Sequence, residues 1–261
     1  APGAGLSLTV SGPFAPALAV EDAQDNLILR AARMLAEALG RPADLAFHLD
    51  KQIPVAAGLG GGSADAAAAL RGLARLWRLP GDDPRLVDIA ARLGSDVPAC
   101  LIGGTLRIAG TGTALRALPP LPRLDCLLVN PRRPVATPSV YRRLRAIDPP
   151  PIAPRPADPP QDAMALLDAF LPQQCNVLTE CAIAECPEIV PLLGALKALD
   201  GPGFAGLAGS GASAFWLGLP GSAATAAATI RARHPDCWLV ETCLSGEARY
   251  VLRTREPRDG A

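Results

Sequence analysis

The chain has 261 residues, 49% of them hydrophobic and 19% charged, and its 25 Lys and Arg balance 25 Asp and Glu to a formal charge of zero. That length and composition suit a globular protein with room for two modest cores and exclude a chain disordered throughout. The neutral balance supplies no broad field for nucleic acid or an acidic membrane, so any polyanion has to be bound locally.

Leu6, Leu8 and Val10 alternate with Ser7, Thr9 and Ser11, the pattern of a strand with one buried face. Asp25 or Asn26 can cap the helix that follows. Its apolar positions Leu27, Ala31, Met34, Leu35 and Ala38 share one face, Arg30, Arg33 and Glu37 the other, and Gly40 is placed to end it. A second strand carries Leu45, Phe47 and Leu49 inward, which turns His48 outward as an ordinary surface histidine.

The chemistry begins at Lys51 and runs through Pro54, Val55, Ala56, Ala57, Gly58, Leu59, Gly60, Gly61, Gly62, Ser63, Ala64 and Asp65. Each glycine costs a regular element about 1 kcal/mol relative to alanine, so a cluster of them before a helix implies that bare backbone is needed there. A helix pattern follows, with Leu70, Leu73 and Trp77 on one face and Arg71, Arg75 and Arg78 on the other, read as a solvated face. Unpaired N–H groups and the positive end of the helix dipole converge where the glycines meet this helix, and together they form an anion cradle. It is not a Walker A loop, because Ser63 and Ala64 stand where that motif places Lys and Ser or Thr, and it does not fit a dinucleotide fingerprint.

Asp83 and Pro84 open a short helix with an apolar stripe of Leu86, Ile89, Ala90 and Leu93, and Gly94 stops it. Asp96 falls on the next turn, before the apolar segment from Cys100 to Ile108. Pro119, Pro120 and Pro122 mark a boundary near residue 122, giving domains 1–122 and 123–261, the second opening with the apolar run Leu124 to Val129. Asp148 to Pro160 holds seven prolines in thirteen residues and reads as an extended loop. Gly209, Ser210 and Gly211 precede the strand-like Phe215, Trp216 and Leu217, so they form a turn between strands that can face the first glycine loop across the domain interface.

The two histidines are far apart, and none of Cys100, Cys126, Cys175, Cys181, Cys186, Cys237 and Cys243 forms a Cys-x-x-Cys pair, so zinc-site spacing is absent. These cysteines read as reduced, packed thiols of a cytoplasmic protein. Neither a membrane span nor a signal peptide is expected.

The phosphate loop, the segment Gly94-Ser95-Asp96-Val97-Pro98 and the later glycine turn, in this order, resemble the GHMP kinase superfamily. Within it the chain is most similar to the 4-diphosphocytidyl-2-C-methyl-D-erythritol kinase family. The residues that narrow it are Asp25-Asn26-Leu27-Ile28, Lys51-x-Ile53-Pro54, Gly60-Gly61-Gly62-Ser63-x-Asp65 and Thr137-Pro138-x-x-Tyr141. The resemblance runs from about Leu6 to Val251 and implies an α+β fold of two domains. The first would be like domain 2 of ribosomal protein S5 and the second ferredoxin-like, with the active site between them.

The resemblance further implies ATP-dependent phosphorylation of the 2-hydroxyl of 4-diphosphocytidyl-2-C-methyl-D-erythritol, with Mg²⁺. Pro54 to Ala64 would bind the ATP phosphates, Ser63 would lie near the β-phosphate or Mg²⁺, Asp96 would orient or deprotonate the attacking hydroxyl, and Gly209, Ser210 and Gly211 would adjoin the substrate. Such a chain would be a monomer or homodimer with no nucleic-acid or membrane partner. The nearest alternatives are a homoserine- or mevalonate-type kinase and a nucleotide-binding module without turnover. One departure from the pattern stands out: the family's opening motif, Pro-Ala-Lys-x-Asn-Leu, is missing, which places Ala1 roughly forty residues into the expected fold. Truncation, a misplaced gene start or loss of activity would each explain this. Lys51 is read as a strand-end surface charge that does not replace the missing lysine.

Overall fold

The structure is a computed structural model, and it describes residues 5–18, 25–112, 114–147 and 158–244. Residues 1–4, most of the proline-rich stretch (148–157) and the segment after 244 lie outside the described residues. In chain order the first half contains β1 (Ser7–Ser11), α1 (Ala15–Leu18), α2 (Leu27–Ala38), β2 (Ala46–Asp50), α3 (Gly61–Leu76), α4 (Pro84–Leu93), α5 (Val97–Ile102), β3 (Leu106–Ala109) and β4 (Ala114–Ala117). The second half contains β5 (Leu124–Asn130), α6 (Thr137–Ala146), α7 (Ala163–Ala165), α8 (Thr179–Glu185), α9 (Ile189–Lys197), β6 (Gly203–Leu207), β7 (Ala214–Gly218), α10 (Ala223–Arg233) and β8 (Trp238–Leu244).

β1 and β2 pair in parallel, with Leu8 opposite Phe47 and Val10 opposite Leu49, and α2 makes the crossover between them. The Asn26 side chain caps α2 by accepting from the Ile28 N–H at 2.9 Å. The buried face of α2 is Ile28, Leu29, Ala31, Ala32, Leu35 and Ala36, whereas Ala38 is exposed, so the inward stripe is rotated from the one expected. α3 presents Ala66, Ala67, Leu70, Leu73 and Ala74 to the same core, and α4 adds the expected Leu86, Ile89, Ala90 and Leu93. Where two helices meet through alanines, their axes approach closely, which is how a sequence poor in aromatics fills this core. His48 is exposed, as expected, and its ring nitrogens bond the hydroxyls of Thr9 and Ser11 at 2.9 and 3.0 Å.

The second half is a four-stranded antiparallel sheet in the order β6-β7-β5-β8. With helices between β5 and β6 and between β7 and β8, this is the ferredoxin-like β-α-β-β-α-β arrangement. β5 is buried on both faces, which explains its unbroken apolar run. Leu127 and Val129 join the core formed with α6, α8, α9 and α10. Leu124 and Cys126 pack on the other side against Leu166 and Leu167, which belong to a π-type turn (Leu166–Phe170) continuing α7. All seven cysteines are free thiols, and burial pushes Cys126 up to about 11. Among the described residues no helix is long and apolar enough to cross a membrane.

Asp83 is buried and caps α4, accepting from the Arg85 N–H at 3.0 Å, while the Arg85 guanidinium grips the same carboxylate at 2.9 and 2.6 Å. Hydrogen bonds from the Arg85 side chain hold this carboxyl below its usual range against the opposing effect of burial. A carboxyl lowered on folding stabilises the fold above its unfolded-state value, about 3.9, and loses that contribution as pH falls through the lower folded value. Asp83→Asn retains the cap but not the charge, so the variant should show a shallower loss of stability below about pH 4 in urea titrations. An unchanged acid slope would mean that this pair contributes nothing to it.

Candidate active site

Where β2 ends, the alternation that turns Phe47 and Leu49 inward continues to Lys51, which is 7% exposed. The surface reading of Lys51 is therefore overturned: its Nζ lies 3.0 Å from Asp65 Oδ2, on the first turns of α3. The signal was present, since 45, 47, 49 and 51 have the same parity, but a lysine at a strand end is read as solvent-facing by default. Lys51 is the buried end of the pair and Asp65 the half-buried one, so loss of Asp65 would leave a buried cation without this counter-charge.

The glycine loop divides into three kinds of position. At Gly58, φ is +75° and a Cβ would lie 2.5 Å from Gly211 O and 2.6 Å from Ala208 O, so no side chain fits. At Gly60, φ is +65° with open space around it; this left-handed residue precedes the first turn of α3. Gly61 and Gly62 already belong to the helix. A Cβ on Gly61 would approach Lys51 Nζ at 3.2 Å, and one on Gly62 would meet only Leu27 at 3.7 Å. The first bond of the helical ladder runs from Ala64 N to Gly60 O at 2.9 Å, so the N–H groups of Gly61, Gly62 and Ser63 precede that ladder.

The later glycine turn, between β6 and β7, packs directly on this loop. A Cβ on Gly209 would lie 2.8 Å from Gly58 O, and the Ser213 N–H donates to Ala57 O at 3.1 Å. Asn176 holds the turn by donating to Leu207 O and Gly209 O at 3.1 and 2.7 Å, and buried Ser210 shares a 2.8 Å hydroxyl bond with Thr137 at the start of α6.

These elements enclose a cleft of about 490 Å³. Of the residues singled out by sequence, Pro54 to Ser63, Asp96, Gly209 and Ser210 line it. Ala64 is exposed away from it, and Gly211 is packed behind the turn against Ala182, Ile189 and Leu207. The cleft also takes in Lys51, Asp65, Asn26, Thr137 and Tyr141, the last 45% exposed. Asp96 is exposed at the N-terminus of α5, and its side chain makes no capping bond there. At the other end of α5, Arg71 of α3 donates to Cys100 O at 2.7 Å and Leu101 O at 3.3 Å, so this arginine ties two helices together rather than lining a solvated face. Burial, reinforced by the Asp96 charge, pushes the Cys100 thiol up, away from a nucleophilic state.

A bare metal ion finds no cage here: among the described residues no three His, Cys, Asp or Glu side chains are grouped to hold one. What the cleft offers a cation is isolated oxygens, such as the Ser63 hydroxyl, and these suit an ion that arrives with its own phosphate ligands and waters.

Residues 26–104 match the family described as the GHMP kinases N terminal domain. A 4-diphosphocytidyl-2-C-methyl-D-erythritol kinase of Rhodospirillum rubrum is 43% identical over 255 residues, covering 96% of this chain and 81% of the relative. A kinase of the same name from Cereibacter sphaeroides is 46% identical over 248 residues, covering 94% and 84%. A crystal structure of 4-(cytidine 5'-diphospho)-2C-methyl-D-erythritol kinase, 33% identical, superposes with a TM-score of 0.69 over 93% of this chain and 84% of that one. Homoserine kinase from Cytophaga hutchinsonii, 18% identical with a TM-score of 0.67, shares the fold over 93% of this chain and 83% of its own. With this fold and these relatives, the chain belongs to the 4-diphosphocytidyl-2-C-methyl-D-erythritol kinase family of GHMP kinases.

Proposed function

We propose that this protein transfers the γ-phosphoryl group of ATP to the 2-hydroxyl of 4-diphosphocytidyl-2-C-methyl-D-erythritol, a step of non-mevalonate isoprenoid precursor synthesis. The observation that carries the reading is the placement of a bare-backbone helix N-terminus and an uncapped carboxylate, Asp96, in one cleft. We further propose that residues 1–122 form the nucleotide-binding domain and 123–261 the second domain. In support, one core cluster is built within residues 31–101 and the other two from residue 124 onward.

Phosphoryl transfer asks the protein for an in-line hydroxyl and for compensation of spreading charge, with little covalent participation. The amides of Gly61, Gly62 and Ser63 and the α3 dipole supply that compensation, and Gly60 brings the main chain to the phosphates without a Cβ in the way. Mg²⁺, carried on the ATP phosphates and touched by Ser63, would neutralise further charge. Asp96 accepts the hydrogen bond of the substrate hydroxyl and takes its proton as the new O–P bond forms and the bond from the γ-phosphorus to the ADP oxygen breaks. Tyr141, on α6 of the second domain, lines the cleft and is exposed, and its ring is the surface on which the flat cytosine of the substrate would stack.

Three variants separate these roles, each measured by ADP release at saturating and limiting concentrations of both substrates. Gly61→Val should weaken ATP binding by about tenfold or more, 1.4 kcal/mol, because a branched side chain there crowds the cleft beside Lys51 Nζ, 3.2 Å from the new Cβ. Wild-type nucleotide affinity in that variant would remove the loop from the mechanism. For Asp96→Asn the expectation is a kcat lower by about 100-fold or more with ATP binding retained; full turnover would refute the carboxylate's role. Tyr141→Ala is expected to raise KM for the cytidyl substrate by roughly tenfold, the scale of one lost base stack, while leaving that for ATP alone. Equal effects on both substrates would mean the ring supports the cleft without reading the base.

A further inference from the structure

The β3–β4 hairpin is a poor contributor to stability. None of its strand residues is buried, and Ile108 is 52% exposed. Its connecting turn nonetheless makes one contact of unusual closeness. Gly112 has φ +90°, and a Cβ there would lie 2.3 Å from Ser95 O, 3.0 Å from Ser95 C and 3.0 Å from Ser95 Cβ. The neighbour is main chain, not the far end of a flexible side chain, so nothing larger than glycine fits without displacing Ser95.

Ser95 lies in the three-residue connection Gly94-Ser95-Asp96 between α4 and α5. α4 is anchored in the core through Leu93, and α5 is held through Val97, Leu101 and the Arg71 bonds to its last carbonyls. The connection is thus pinned at both ends, and its outer side is where Gly112 rests. Asp96 itself makes no capping bond, and Ser95 Oγ reaches its carboxylate only at a long 3.5 Å. The place of that carboxylate therefore follows the backbone that carries it.

We infer that Gly112 is a positioning residue for Asp96, acting through the Ser95 peptide so that the exposed hairpin buttresses the carboxylate. This deepens the proposed function and rests on its assignment of Asp96. Gly110, in the same turn, supplies the control: its φ is +61°, but nothing lies within 4 Å of where its Cβ would be. Substitution at either glycine strains the turn, while only substitution at Gly112 pushes on Ser95.

The test compares Gly112→Ala and Gly112→Asn with the same changes at Gly110, asparagine being the residue that best tolerates positive φ. Small misplacements of a catalytic group cost rates steeply, so the Gly112 variants should lose kcat by about 10- to 100-fold with KM for ATP within about twofold. The Gly110 variants should stay within about threefold in kcat, since they keep Ser95 in place. In an Asp96→Asn background, Gly112→Ala should lower the residual rate by less than about twofold, the non-additivity of two residues acting as one. Ser95→Gly, which loosens the same connection with the hairpin untouched, should reproduce the kcat loss beyond that of Ser95→Ala, and it decides the matter if the Gly112 variants do not fold. Equal effects at Gly110 and Gly112, or additive losses with Asp96→Asn, would overturn the inference. A wild-type kcat for Asp96→Asn alone would instead overturn the reading on which it rests.

Discussion

At Gly58 the two halves of the chain meet main chain to main chain. There is no space for a Cβ on Gly58 against Gly211 O, or on Gly209 against Gly58 O, and a hydrogen bond from Ser213 N to Ala57 O crosses the same seam. Glycine at positions 58 and 209 permits this close approach, which fixes the distance between the glycine loop and the turn of the second half. The shape of the cleft follows from it. Thr137 and Tyr141 reach the loop because α6 is bonded to Ser210 of that turn, and Asn176 keeps the turn from drifting along β6. A side chain at Gly58 or Gly209 would wedge the halves apart before it touched a ligand.

The second organising element is α3. Its N-terminus opens onto the cleft, its alanines and leucines hold it in the first core, and Asp65 in its second turn receives Lys51 from β2. Further along, Arg71 clasps the carbonyl end of α5, whose other end begins at Asp96. Loop and carboxylate are thus fastened to one helix, and the distance between them depends on packed side chains rather than on a flexible loop. Groups that must meet one phosphoryl group in line need this kind of rigid common support.

Much of this was legible in the residues. The glycine cluster, its helix, the α4 stripe with its Asp83 cap, the strand parity around His48 and the turn before Phe215 all appear where periodicity and capping chemistry place them. What was not legible depends on contacts distant in sequence. Glycines 58, 60 and 61 look alike in the chain, yet the first is demanded by a partner 150 residues away, the second by its own dihedral and the third by what approaches it. Arg71 reads as solvated from sequence because its acceptors, the carbonyls of residues 100 and 101, lie on another helix. Ala38 falls inward when side-chain type alone defines the stripe, whereas burial follows the rotation that α3 and α4 impose on α2.

Under the proposed function, these residues of zero formal charge meet a tetra-anionic nucleotide, so local positive potential matters more than a net excess of lysine and arginine. Lys51, which lines the cleft, is already matched by Asp65, and the pair is near neutral as a unit. Beside it lie the fixed dipole of α3 and the amides ahead of its ladder, which act only within the first turn and need no counter-charge elsewhere on the surface. Such a source favours a ligand that can reach the backbone, so under the proposed function the glycines select for phosphate as much as they permit it. A lysine-based cradle could be approached by any polyanion, whereas this one is open only to a group narrow enough to enter the cleft between the two halves.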